Sequence, residues 1–105
     1  MTTPFWCLLI ACVIPYLLAG AGGYFKAQQL GAVDNHEPRS QAAKLTGAGA
    51  RAVAAQENAW EALAVFAPAV VVNHLAGGAA GTAATLSIVW VASRVAHPIF
   101  YVADL

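Results

Sequence analysis

The stretch RAVAAQENAWEALAVF, Arg51 to Phe66, decides how the chain is read. It carries Arg51, Gln56, Glu57, Asn58 and Glu61, and beyond Glu61 no charged residue occurs until Arg94. A helix written this way is polar at one end and apolar at the other. It starts in water and runs into an apolar phase, and the rest of the sequence identifies that phase.

The chain has 105 residues, 60% of them hydrophobic and 10% charged. Soluble domains carry about 25% charged residues. A chain this short buries only a modest fraction of its surface, so a water-soluble fold would leave much apolar surface exposed. Lipid is the solvent that suits it, and membrane lipid is the first expected partner. Net charge is zero and no basic block is present, which argues against a nucleic-acid partner. No metal site is expected.

Cys7 and Cys12 both lie in the first apolar run. Five residues apart on one helix, they point in different directions and do not pair. They read as small buried hydrophobes. Leu9-Ile10-Ala11-Cys12 has a faint likeness to a lipoprotein cleavage site, but no Lys or Arg precedes Lys26 to form a basic n-region.

Three apolar segments are predicted to be helices, over about 4–30, 38–75 and 79–103, in one transmembrane domain spanning 1–105. The first, Phe5 to Phe25, holds no charge and covers ~30 Å, the thickness of a hydrocarbon core. Pro15 kinks it, and the small pair Ala19 and Gly23 offers a place for another helix to approach. Residues 27–40 form a polar connection, with Gly31 ending the first helix and Pro38 opening the next. The second helix is predicted to run unbroken from Pro38 to about His74 and to project into water at its start. Pro68 kinks it, and the turn Gly77-Gly78 follows. The third segment lacks alternation and is too long for a strand.

Threaded up, down and up, these helices put every charge at or near one membrane face. Lys26, Arg39, Lys44 and Arg51 flank the first connection, so the positive-inside rule makes that face cytoplasmic. The expected fold class is therefore all-α integral membrane, an antiparallel transmembrane helix bundle.

At 100° per residue, Arg51, Asn58 and Glu61 share one side of the second helix, and Glu57 points elsewhere. A carboxylate at membrane depth is costly and has to face protein or a wet cavity. Arg94, His97 and Tyr101 form a matching stripe on the third helix. Antiparallel pairing is expected to bring the two stripes together as a wet, mixed-charge crevice. Such a crevice suits a small zwitterion with carboxylates and an ammonium. The plainer reading is that these polar groups join helices, as they commonly do in membranes.

The pattern Arg51-x-x-Ala54-x-Gln56-x-Asn58-x-x-Glu61-x-x-x-x-Phe66 resembles the second-helix signature of the family of membrane-associated proteins in eicosanoid and glutathione metabolism (MAPEG). Arg94-x-x-His97-x-x-x-Tyr101 is similar to that family's third-helix motif, and the connection DNHEPRSQAAKLTGAGARA resembles that of small bacterial members. The resemblance implies a homotrimer in the bacterial inner membrane that binds glutathione between subunits near the cytoplasmic face. It implies a transferase or peroxidase acting on a lipophilic electrophile. Arg51, Gln56, Asn58, Glu61 and Tyr101 would then bind glutathione, and Arg94, His97 and Tyr101 are the catalytic candidates. The chain departs from the pattern at Ala54, where the family has a second Arg, at His97 for Tyr, and at Ala64 for Pro. It also stops at Leu105, where the family's fourth helix would begin. The alternative is a non-catalytic member whose polar cluster serves helix packing and trimer assembly.

Overall fold

The computed structural model describes residues 2–104 and contains, among them, helices and turns without strands. Four helices follow in order: α1 (Thr3–Leu30), α2 (Pro38–Ala42), α3 (Gly47–Leu75) and α4 (Ala80–Val102). The three long helices lie side by side in a rod of 51 × 30 × 18 Å. Phe5 at the start of α1 meets His74 at the end of α3, ring centroids 5.1 Å apart. Arg51 near the start of α3 meets Val102 at the end of α4. Neighbours of α3 therefore run antiparallel to it. The charged residues occupy 26–61 and 94–104, so they share one half of the rod and its boundary.

Local sequence explains the ends of α1. Pro4 sits in its first turn, where a missing N–H costs nothing. Gly31 closes it in the left-handed conformation, φ 90°, and donates its N–H to the Ala27 carbonyl. Pro15 stays inside the helix, fully buried against its neighbours.

The unbroken second helix expected over 38–75 is corrected here. Residues 43–46 interrupt it, leaving the short α2 and the long α3. Two features impose the break. Leu45 turns inward and is buried, although its flanking residues Lys44 and Thr46 are exposed. Thr46 is extended and Gly47 takes φ 55°, a backbone shape that side-chain-bearing residues avoid. Gln29 of α1 then holds the break in place. Its Oε1 accepts from the Thr46 N–H at 3.0 Å, and its Nε2 donates to the Thr46 carbonyl at 3.1 Å.

The α1–α3 contact is made of small residues. Gly22 and Gly49 are buried, and Ala52 and Ala55 are inaccessible or nearly so. A Cβ added at Gly49 would stand 3.0 Å from Phe25 Cβ, so the two backbones approach as closely as their atoms allow. The Ala19–Gly23 pair, expected to admit another helix, does not admit α3. Ala19 is exposed, and the helix is rotated so that Gly22 faces α3 instead.

Two apolar clusters complete the interior. Cys7, Ala11, Phe66 and Val70 gather in the uncharged half, with Trp90 packed on them. Ile14, Leu18 and Ala55 gather in the other half, beside Val102. Cys7 is buried and Cys12 half-buried, both as free thiols. Outside these clusters much of the rod's surface away from the charged end is also apolar. Leu17, Val65, Val72, Leu75 and Leu86 are among the large side chains that face outward. α1 and α4 are each long and apolar enough to cross a membrane.

Candidate polar site on α3 and α4

The register of α3 against α4 sets the site. Phe66 stacks flat on Trp90, centroids 3.8 Å apart and planes 6° from parallel. Two turns along α3 and one along α4, Arg94 Nη1 donates to Asn58 Oδ1 at 2.6 Å. At the end of α4, Arg51 Nε donates to the Val102 carbonyl at 3.3 Å. That carbonyl belongs to the last turn of a helix, where backbone acceptors have no partner within the helix. A guanidinium there also meets the negative end of the helix dipole. The His97 and Tyr101 rings, one turn apart on α4, stack at 5.4 Å and 12°.

So the structure brings Asn58 and Arg94 into direct contact across α3 and α4, seats Arg51 two turns away on the Val102 carbonyl, and holds His97 and Tyr101 as a stacked pair on the α4 stripe. Glu61 lies one turn beyond Asn58 and is exposed on the single chain. Gln56 is half-buried on another side of α3, since positions two apart on a helix do not face one way.

The open crevice expected between the stripes is also corrected. Ala11, Ile14, Ala55, Asn58, Trp90, Arg94 and His97 surround a cavity of only about 10 Å³. That holds one water at most. The cause is the Arg94–Asn58 hydrogen bond, which draws the two polar stripes together. Whatever these groups bind beyond each other meets them on their outer side, where Asn58, Glu61 and Tyr101 are exposed.

Sequence reasoning missed the Val102 carbonyl, since a backbone acceptor leaves no mark on residue type. Trp90, which is not among the site residues expected from the sequence, lines the wall next to Asn58 and Arg94. Its signal was present: Trp90, Arg94, His97 and Tyr101 follow a four-three-four spacing.

The order of these groups along a helical membrane bundle can be compared with known proteins. No curated protein and no solved structure matches the chain. A sequence model of the MAPEG family does, over residues 3–105, which includes every residue of the α3 and α4 stripes. The all-helical antiparallel bundle with its two membrane-capable helices agrees with that match, and the chain belongs to the MAPEG family.

Proposed function

We propose that this protein binds glutathione on the outer face of α3 and presents its thiol to a lipophilic electrophile, as a membrane transferase or peroxidase. The observation that supports this is the position of Glu61. It lies midway along α3, exposed on one chain. A hydrocarbon core of ~30 Å, measured from the Leu75 end at ~1.5 Å per residue, reaches back to about Gln56. Asn58 and Glu61 then sit inside its cytoplasmic edge. A carboxylate there is covered by protein or by a wet, ligand-holding cavity. Since its own chain does not cover it, a second copy does, in a homotrimer.

The donor set fits the ligand. Glutathione carries two carboxylates, one ammonium and two amide groups. Arg51 offers a guanidinium to a carboxylate. Glu61 offers a counter-charge to the ammonium, Asn58 an amide to the peptide, and Tyr101 a phenol beside it. Gln56, on another side of α3, reaches a ligand only if the neighbouring copy shares it. Glutathione supplies a thiol, ordinarily with a pKa of about 8.5, which a nearby cation makes more acidic. Arg94 is the candidate for that cation, His97 for the base that takes the proton, and Tyr101 to contact the sulfur. The apolar outer surfaces of α1 and α4 let an electrophile arrive from lipid. The charges at one end of the rod, with Lys26, Arg39, Lys44 and Arg51 among them, support a cytoplasmic orientation for the α1–α2 connection in a multi-pass inner-membrane protein.

A second reading is favoured by the two α3–α4 hydrogen bonds themselves. Arg94 and Arg51 are already engaged within one chain, as expected of a non-catalytic member whose cluster packs helices and assembles the trimer. Calorimetric titration of glutathione into the detergent-purified protein, with Arg51→Ala and Glu61→Ala alongside, separates the two. Saturable binding that both folded variants lose supports the ligand site. An intact trimer that takes up no heat from glutathione sinks it and leaves the packing reading.

A further inference from the structure

The hydrogen bond from Arg94 to Asn58 fixes more than a distance. A guanidinium has only donors, so the atom of Asn58 that faces it at 2.6 Å is the carbonyl oxygen. The orientation of a side-chain amide follows from its partners, and here the partner is charged and admits one answer. The amide nitrogen occupies the other arm and turns away from Arg94. Asn58 is exposed, so those two N–H donors belong to the outer face of α3. Arg94 itself is only half-exposed, set between α3 and α4 against the wall formed with Ala55, Trp90 and His97.

We propose that Arg94 is a positioning residue that sets the polarity of the site. It holds the Asn58 amide with its donors outward, so that Asn58 meets an acceptor of the ligand, a carbonyl or carboxylate oxygen. Glu61, one turn on, presents an acceptor to a donor of the ligand. The α3 face therefore reads a donor and an acceptor in fixed order along the helix. This rests on the reading of that face as a glutathione site. It differs from a role in which Arg94 touches the thiol or an electrophile.

The test has one arm that needs no ligand. The chain has three asparagines, Asn35, Asn58 and Asn73. With [15N]asparagine in the detergent-solubilised protein, the Asn58 side-chain amide pair is assigned by its loss in Asn58→Asp. Arg94→Met removes the donor at similar length and is expected to move that pair. Arg94→Lys retains a donor and is expected to leave it near its original position. An Asn58 pair that does not respond to Arg94→Met overturns the proposal.

The second arm uses glutathione as the probe. Arg94→Met is expected to weaken binding about tenfold and Arg94→Lys to restore it to within about threefold. In an Asn58→Ala background, Arg94→Met should cost nothing further, because its effect passes through Asn58. A further tenfold loss there overturns the positioning role, since Arg94 then contacts the ligand itself. Asn58→Asp keeps a partner for Arg94 and replaces the outward donors by an acceptor. It is expected to bind more weakly than Asn58→Ala, and equal or tighter binding overturns the assigned polarity. If the resonances respond as expected and the unaltered protein binds no glutathione, the positioning stands and the glutathione reading falls.

Discussion

The two seams of α3 are built from opposite materials. Against α1 it presents Gly49, Ala52 and Ala55, and the backbones close until a Cβ at Gly49 would have no room. Against α4 it presents Phe66, Asn58 and Arg51, each with a named partner across the gap. Lipid tails are as apolar as a leucine side chain, so burial alone does not hold membrane helices together. Close van der Waals contact does so along α1, and directed contacts do so along α4. The first seam has one geometry and little to vary. The second has side chains whose partners can be exchanged, and the glutathione site is proposed on the outer face of α3 beside it.

Two substitutions test that contrast where it is strongest. Gly49→Leu is expected to destabilise the bundle by about 3 kcal/mol, because the new side chain meets the stiff Cβ of Phe25 and displaces Gln29. Thermal unfolding in detergent, followed by circular dichroism, reads it. A midpoint unchanged from the parent protein would mean that α1 and α3 are not in close contact. Phe66→Ala removes the ring stacked on Trp90 and is expected to cost about 2 kcal/mol. That is less than in a water-soluble core, since lipid solvates the remaining apolar surface. A loss of 4 kcal/mol or more, on the scale of soluble cores, would contradict the membrane setting of that seam.

The legible part of the sequence was its segment lengths, its charge placement and its helical spacing. Gly31 as a stop, Pro38 as a start and the Arg94–His97–Tyr101 stripe all follow from rules that act within one helix, and the structure has each of them. The unread part depends on rotation and on contacts between helices. Ala19 and Gly23 have the right spacing for a close approach, but spacing leaves open which small residues face the neighbour, and Gly22 does. The break at 43–46 was marked by Thr46-Gly47 and by a lone Leu45 among polar and small residues. An uninterrupted helix over 38–75 had no strong breaker against it, so the mark was outweighed. The closure of the expected crevice could not be read either, since two stripes of matching polarity are compatible with a gap or with a bond.

A smaller effect concerns the loop that fixes where α3 begins. Gln29 makes two hydrogen bonds to the backbone of Thr46, donor to carbonyl and acceptor to N–H, as a neighbouring strand would. Gln29→Ala removes both and is expected to cost about 1 kcal/mol, because the loop is exposed and water replaces part of what is lost. Its more telling readout is local. Amide hydrogen exchange should quicken at Thr46 and the first turn of α3 while Phe66 to Val70 stays protected. Exchange that quickens along the whole of α3 would mean the clamp supports the bundle as a unit.

The smallest effect is the sharpest control on rotation. Ala19→Leu places a large side chain at one of the two positions that sequence spacing alone selects for the close approach of another helix. Ala19 is exposed, so the change should stay within about 0.5 kcal/mol of the parent in detergent. A Gly22→Leu variant, three residues further along α1, faces Val53 and should lose stability by about 1–3 kcal/mol. The two positions differ by a 300° turn of the helix, and since replacing a glycine favours the helix itself, a loss at Gly22 reports packing. If Ala19→Leu were the damaging one in the single chain, α1 would be rotated from its position here, and the tight seam would have to be reassigned to a different face. If Ala19→Leu leaves unfolding untouched but lowers the share of trimer on size exclusion, that face is where a second copy packs. The seam inside the chain and the seam between chains would then lie on different sides of the same helix.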